Sequence, residues 1–505
     1  MAFPTSALPP VHPPKCFALI STERDNSFHD DDNNRLYLQT TLAALEHTDK
    51  FDSTLWRNDD DDLEAAVPIL TDPTARFYVE MANKAPGYVH IRCGYNNKYW
   101  VPEEAYRYLG GDRDFMLIGT TPEREEDIGN KLCTLFRLNL TIDQKDGAGN
   151  NTFKARFIAG ASQSDAFIFV AKDNSLHKDF FIRDLSDHVV LPRHVAFKGD
   201  NGKYLSARQV HGRPYCQFSS QDITDPSVMF TTFYNDDGTV RIKSEAYGKF
   251  LRLSPAWIWP DGPDNPSDKN TLFKVTRIDD YYLLKNLGNN HFCKRLTADN
   301  KSDCLNAATE HVMTEAKLWV EEPVLSREIY NITYHGLDKA RVYDSKTVNM
   351  ASSSAINATS QNNNVKMSLT ITQTQSRTWD TSLSTKIGVK TTITASVPQV
   401  GSIGEELSAE VESGFSFGKT EVTETKQEIV YDVVVPTMKK VIVSAIATQA
   451  KCDVPYSYAQ KDIMPSGEVI VSTLHDGMYS GKNTFNLQYV TTEEDLPAEF
   501  LKKGK

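Results

Sequence analysis

Phe197-Lys198-Gly199-Asp200-Asn201-Gly202-Lys203-Tyr204-Leu205 returns in altered form as Ile242-Lys243-Ser244-Glu245-Ala246-Tyr247-Gly248-Lys249-Phe250-Leu251. A looser third copy is Leu284-Lys285-Asn286-Leu287-Gly288-Asn289-Asn290-His291-Phe292. Lysines 198, 243 and 285 are 45 and 42 residues apart. Each copy reads as a strand, a Gly/Asn turn and a second strand that brings an aromatic residue across the hairpin.

A larger repeat contains this one. Ile91-Arg92-Cys93-Gly94-Tyr95-Asn96-Asn97-Lys98-Tyr99-Trp100 matches the 242–251 copy at an offset of 151. Asp72-Pro73-Thr74-Ala75-Arg76-Phe77 matches Asp225-Pro226-Ser227-Val228-Met229-Phe230, and Cys133-Thr134-Leu135-Phe136-Arg137 resembles Asn270-Thr271-Leu272-Phe273-Lys274. The expectation is an all-β chain with a tandem duplication, each half made of three units. Three equivalent all-β units closing on themselves predict a β-trefoil; a propeller of this period needs more blades and a Trp-Asp signature.

The expected boundaries are a flexible N-terminus over 1–15, a first trefoil over 16–161, a linker over 162–192 and a second trefoil over 193–325. An acidic insertion with Asp30-Asp31-Asp32 and Asp59-Asp60-Asp61-Asp62 interrupts the first half. It reads as a solvated loop, since no EF-hand pattern accompanies it. No metal or other cofactor is expected.

Residues 326–500 change composition toward Thr, Ser, Val and Gln, with little helix signal. Near their centre lie two period-2 patterns. Ile387, Val389, Thr391, Ile393, Ala395 and Val397 alternate with polar residues on the rising side. Leu407, Ala409, Val411, Ser413, Phe415 and Phe417 do so on the falling side. Such alternation means strands with one apolar and one wet face. Pro398 to Gly404 supplies the turn, with Val400 and Ile403 as exposed apolar tips. Each strand carries about eleven alternating residues, against the ~9–11 that cross a bilayer as tilted strand. One such hairpin serves as a surface flap; many copies side by side make a barrel.

The 505 residues are 40% apolar and 24% charged, as in soluble globular proteins. A net charge of −12 and a pI near 5.5 argue against nucleic acid as a partner. No apolar run reaches the length of a membrane helix, and the N-terminus shows no secretory signal, so a cytoplasmic protein is expected. The seven scattered cysteines read as mostly free thiols of a reducing compartment.

Little supports an enzyme. Gly414-Phe415-Ser416-Phe417-Gly418 fits G-x-S-x-G, but that elbow works only where a strand turns into a helix. Gly477-Met478-Tyr479-Ser480-Gly481-Lys482-Asn483 is one residue short of a P-loop. Binding is better represented. Sugar sites combine an aromatic face for C–H surface with carboxylates or amides for hydroxyls. Two equivalent loops have that makeup: 102–108, with Glu103, Tyr106 and Tyr108, and 252–262, with Ser254, Trp257, Trp259 and Asp261. An aromatic corner packed under the loop is the alternative for the second.

These residues resemble the amaranthin family of plant lectins over roughly 14–325. The likeness is close at 195–205 and 238–244, and extends to Asp72-Pro73, 89–92 and 97–99. It implies two tandem β-trefoils whose dimers bind the Gal-β1,3-GalNAc disaccharide through the 102–108 and 252–262 segments. Glu103, Glu104 and Tyr106 depart from the family pattern and put that specificity in question. Residues 326–500 look like the aerolysin pore-forming module, an elongated β domain with a pre-stem hairpin at about 385–417. The resemblance implies a plant-defence protein that binds glycans or glycoproteins, is a dimer in solution, forms a larger ring and inserts a barrel into a target membrane. The inserting residues would be Ile387, Val389, Ile393, Val397, Val400, Ile403, Leu407, Val411, Phe415 and Phe417. The rival reading keeps the lectin and gives the last module only a structural or oligomerising role.

Overall fold

The computed structural model describes residues 13–20, 37–40, 54–57, 72–105, 115–145, 151–160, 168–170, 175–177, 180–235, 237–337, 340–381, 391–401 and 407–496. Among these residues the regular structure is strand, with single turns of 3-10 helix and no α-helix. The chain divides into two compact units. One comprises 1–329 with 381–391 and 459–476; the other comprises 330–380, 392–458 and 477–505.

In the first unit, strands His194–Lys198, Phe230–Tyr234, Val240–Ser244, Phe273–Ile278, Tyr281–Asn286 and Trp319–Glu321 pair in a ring. The ring closes where Tyr282 and Leu318 exchange backbone hydrogen bonds of 2.7 and 3.0 Å. Three hairpins cap it: Tyr204–Val210 with Arg213–Ser220, Lys249–Ser254 with Trp257–Gly262, and His291–Ala298 with Lys301–Thr309. Six barrel strands and three cap hairpins are a β-trefoil. A closed ring leaves no sheet edge to manage.

The repeated residues have separate local jobs. Asp72, Asp225 and Asp268 each accept the N–H two residues on, at 2.8, 2.9 and 3.0 Å, and so cap a single 3-10 turn. Each turn then delivers a fully buried phenylalanine, Phe77, Phe230 or Phe273, to a barrel core. The turn from each unit's first barrel strand into its first cap strand passes through a left-handed residue, Asn97, Gly202, Gly248 or Asn290, directly before the Lys/His-aromatic pair. Only glycine and, at modest cost, asparagine take that conformation readily, which explains the Gly/Asn signature.

A second ring forms from Cys16–Ile20, Phe77–Met81, Val89–Cys93, Phe136–Lys145, Asn151–Ala159 and Phe180–Asp184. This corrects the expected linker over 162–192. Phe180–Asp184 pairs with both Cys16–Ile20 and Asn151–Ala159, so the first barrel needs that segment for its sixth strand. The acidic runs 30–32 and 59–62 lie outside the described residues. All seven cysteines are buried free thiols. Burial pushes Cys16 up to about 11 and Cys452 up to about 12, which keeps both in the unreactive thiol form.

Beyond the second barrel, Arg327 is 2% exposed and chelates Glu322 at 2.7 and 3.0 Å and Asp462 at 2.7 and 2.8 Å. Burial disfavours its charge, but the two carboxylates overcome this and raise its pKa. Asp462 clusters with the first unit although it lies inside 326–500, so that region is not one separate block.

The remaining strands are long. Arg341–Asn357, Asn363–Thr381, Glu421–Val435, Lys439–Ile463 and Val469–Asp495 run 17, 19, 15, 25 and 27 residues. The sheet order is Leu407–Ser416, Thr391–Val400, Ser326–Tyr334, Lys439–Ile463, Val469–Asp495, Asn363–Thr381, Glu421–Val435, with Arg341–Asn357 paired to Lys439–Ile463. A ring cluster of the buried Trp379, Tyr456 and Tyr479 with the half-buried Tyr334 anchors the second unit. The Trp379 indole N–H donates to the Tyr334 hydroxyl at 2.9 Å. A Cβ on Gly477 would fall 2.4 Å from Tyr456, and one on Gly481 2.6 Å from Tyr479. The glycines that mimic a P-loop are therefore spaces for rings in a continuous strand.

Candidate functional site

The 252–262 segment folds as a hairpin in which Ser254 pairs with Trp257 and Arg252 with Trp259. Trp257 is 7% exposed. It and Trp259 both pack edge-on against Tyr215 of a neighbouring cap hairpin, at 5.9 and 5.4 Å. Cys304 of the third hairpin completes this cluster, and the Lys301 ammonium lies 5.1 Å from the Trp257 ring. Three caps meeting at a pseudo-threefold axis need large rings to fill it. Trp257 thus belongs to the aromatic corner and offers no open face for a sugar. Asp261 accepts the Arg252 guanidinium at 3.1 and 2.9 Å. Trp259 is half-buried, and its indole N–H is enclosed with no hydrogen-bond partner.

In the first barrel, Glu103 lies on strand Tyr99–Ala105, opposite Leu117, and its side chain is outside the description. Tyr106 and Tyr108 lie outside the described residues.

A different part of the second barrel combines an aromatic ring with polar groups. Lys198, Gly199, Asp200, Gly202, Trp319 and Glu321 line an open, shallow cleft of about 380 Å³. Lys198 pairs with Trp319 across adjacent barrel strands, so both project from one face. The Lys198 ammonium stands 3.7 Å from a Glu321 carboxylate oxygen, and the Tyr204 hydroxyl donates to the other oxygen at 2.8 Å. Burial raises the Tyr204 pKa first, with the Glu321 carboxylate adding to it, so the phenol stays protonated as the donor. Sequence reading missed this cleft because Lys198 and Trp319 stand at opposite ends of the barrel's chain.

A hairpin lies within the stretch expected to insert, with different bounds and faces. Thr391–Val400 pairs with Leu407–Ser416, so Pro398, Gln399 and Val400 belong to a strand and not to the turn. Val400 is no exposed tip. It is 2% exposed, and its backbone N–H and carbonyl are both taken by the Asn483 side chain at 3.1 and 2.9 Å. Ile393 and Val397 are buried as well. Ile387, Val389 and Ile403 lie outside the described residues, as do the side chains of Leu407, Val411 and Phe415. Phe417 is half-buried and packs 6.1 Å from Tyr458.

The register holds a further correction. Ile393 pairs with Phe415, but Thr394 pairs with Ser413, leaving Gly414 as a bulge. Beyond it Val397 pairs with Glu410 and Ser396 with Val411. A bulge of one residue exchanges the faces, so past Gly414 the two apolar alternations are out of phase. Ser416 sits at the end of its strand and leads through a turn at Gly418 into another strand, Glu421–Val435, which removes the nucleophile-elbow geometry.

Residues 189–321 match the Agglutinin domain family, which places the match on the second barrel. No curated protein matches the chain. Among solved structures it is similar to the lamprey immune protein, at 15% identity and TM-score 0.29, over 60% of this chain and 87% of that one. It is also similar to parasporin-2, a Bacillus thuringiensis toxin that recognizes cancer cells, at 19% identity and TM-score 0.21, over 33% and 74%. A Polyporus squamosus lectin bound to a human-type influenza-binding epitope aligns at 11% identity and TM-score 0.23, over 28% and 50%.

Proposed function

We propose that this chain is a lectin that docks on glycans of the Gal-β1,3-GalNAc type and then commits the hairpin at about 385–417 to a membrane pore. The reading assigns it no catalytic step. It is supported by the union, in one chain, of an agglutinin-matching β-trefoil and a Thr/Ser-rich hairpin at the edge of a long-stranded sheet. A single hairpin cannot cross lipid, because its open edges leave backbone groups unpaired at several kcal/mol each. The insertion step therefore requires a closed ring of copies.

Insertion also requires a change of pairing. With the Gly414 bulge in place, no single face of the hairpin is apolar throughout. Extending the Ile393–Phe415 register along both strands removes the bulge, a slide of one residue. It brings Ala395 and Val397 opposite Ser413 and Val411, and collects Glu410 and Glu412 on the other face with Lys390. Carboxylates then outnumber ammoniums on the lumen side, which favours cations; a reversal potential favouring anions refutes this part.

The test is dye release from liposomes with and without a glycolipid bearing the Gal-β1,3-GalNAc disaccharide. Release from the glycan-bearing vesicles alone supports the full reading. Binding without release leaves the C-terminal module a structural role, and absence of binding overturns the lectin itself.

A further inference from the structure

We propose that the cleft of Lys198, Asp200, Trp319 and Glu321 is a saccharide subsite that reads two adjacent hydroxyls of a neutral sugar. The proposal deepens the lectin reading and rests on it.

The threefold repeat of the second barrel supplies an internal control. Lysines 198, 243 and 285 occupy equivalent places on the first strand of each unit. Opposite them on the neighbouring strand stand Trp319, Thr231 and Lys274, respectively. Two residues further along that strand come Glu321, Phe233 and Thr276. In the first barrel the last residue of the first strand, Ile20, pairs with Phe181. Arg92 of the first barrel, at the place of Lys243, repeats the pattern with Tyr78 opposite, Glu80 two residues on and the Tyr99 hydroxyl on Glu80, but there the guanidinium bonds the carboxylate directly at 2.8 Å. Among these places, the one at Lys198 alone sets an ammonium and an indole beside a carboxylate that the cation does not bond directly.

The lysine by itself signals nothing about ligands. Lys285 lies 5.4 Å over Phe292 just as Lys198 lies 5.1 Å over Tyr204, so stacking on the next strand's ring is a habit of the repeat. What the first unit adds is Trp319 and Glu321. The barrel core has no need of either, since both sit on the outer face, alternating with the buried Leu318 and Val320.

The geometry suits a diol. The 3.7 Å between the Lys198 ammonium and Glu321 Oε1 is too long for a direct hydrogen bond, and the two side chains are 35% and 31% exposed. They leave a donor and an acceptor side by side. One sugar hydroxyl accepts from Lys198 while its neighbour donates to Glu321, and the half-buried Trp319 ring lies beside them for the sugar's C–H face. The Tyr204 hydroxyl fixes the carboxylate from behind.

The rim is already rigid. Phe218 lies where a Cβ on Gly199 would be, at 2.8 Å, and Gly202 holds the turn at φ +73°. Asp200 is clamped by Arg295 through two contacts of 2.7 Å, and the same guanidinium also binds Asp303. Little ordering remains to oppose binding. With Arg295 committed to two carboxylates and Lys198 facing Glu321, the cleft holds no uncompensated cation. That selects a neutral sugar over a sialylated or otherwise carboxylated one.

The experiment uses the full chain on an array of neutral and sialylated oligosaccharides, followed by titration calorimetry with the tightest-bound glycan. Trp319→Thr and Glu321→Gln are each expected to weaken binding roughly tenfold or more, while Lys243→Ala at the equivalent place leaves it unchanged; thermal midpoints verify folding. If Trp319→Thr fails to fold, the isosteric Glu321→Gln decides alone. A wild-type chain that binds while both folded variants bind equally well overturns the cleft and leaves the lectin standing. Binding confined to sialylated glycans overturns the neutral-sugar assignment, and no binding at all overturns cleft and lectin together.

Discussion

The second barrel and the hairpin sheet solve one problem in opposite ways. In the barrel, short strands close a ring, and each unit repeats the same local code of capped turn, buried phenylalanine and left-handed hairpin residue. Every strand of the ring is paired on both sides. In the sheet, strands of up to 27 residues are held by one cluster of rings and one patch of buried aliphatic side chains around Met367, Leu369, Val441 and Val443, and Leu407–Ser416 and Glu421–Val435 stand at its two edges. Val422, Val430 and Val434 are exposed along the second of these. A structure coded locally many times over resists change everywhere. One held by a few distant contacts can release a part, and the parts that open first are edges with few buried partners.

The comparison breaks most decisively at the hairpin. Ser396→Cys with Val411→Cys, which sit opposite each other, locks the stored register. Oxidation is expected to reduce dye release to background and reductant to restore it, with glycan binding unaffected throughout. Full leakage from the oxidised protein refutes the one-residue slide. Next comes Arg327→Met, which takes away the cation that the buried Glu322 and Asp462 carboxylates share and should cost about 3–5 kcal/mol in chemical denaturation. Trp257→Ala should cost a similar ~3–5 kcal/mol by emptying the axis of the three caps, while binding per folded molecule stays constant; lost affinity at intact stability would return Trp257 to the sugar site.

Acid should act on the barrels before the sheet. Part of the His188 surface is open, but its Nε2 is enclosed without a partner. Burial pushes its pKa down to about 3, with Arg76, Arg183 and Lys274 adding to the shift. Burial, aided by Arg193, lowers His194 too, against the pull of Glu245, Asp462 and Glu322. Below pH ~6.5 the unfolded chain takes up protons that the folded one refuses, so stability falls as pH drops from there toward 3. The limit is ~1.4 kcal/mol per pH unit for each histidine. Urea midpoints between pH 7.5 and 5 measure this, and His188→Gln should flatten the slope. Smallest is Asp225→Ala, a lost cap of ~0.5–2 kcal/mol that should leave hairpin release untouched.

How much of this was legible depends on whether a signal is local. Asp225-Pro226 and the Gly-Lys-aromatic turn state their conformation within a few residues, so the repeat led directly to the trefoil. Phe180–Asp184 shares no motif with Trp319–Glu321, its counterpart in the other barrel, and by sequence alone reads as linker. Trp257 and Trp259 have the makeup of a sugar platform and of an aromatic corner alike, and only Tyr215, from another hairpin, separates the two. Alternation within each strand of 391–416 was plain, but the phase between strands depends on how Gly414 is accommodated. The cleft was invisible because its lysine and tryptophan meet only when the ring closes.

Pro398 gives the hairpin a ruler. It sits inside Thr391–Val400, opposite Ala409, and its carbonyl accepts the Tyr479 hydroxyl at 3.0 Å. A proline has no N–H, so within hydrocarbon it would strand a neighbouring strand's carbonyl. Under the proposed insertion, the rising strand's lipid-spanning stretch therefore ends at Val397. Counting back from Val397 to Ile387 gives eleven residues. The far mouth of the pore would then be built from Pro398 to Glu406, beyond the bilayer, and Tyr479 would have to let go of its carbonyl before the stretch could reach full depth.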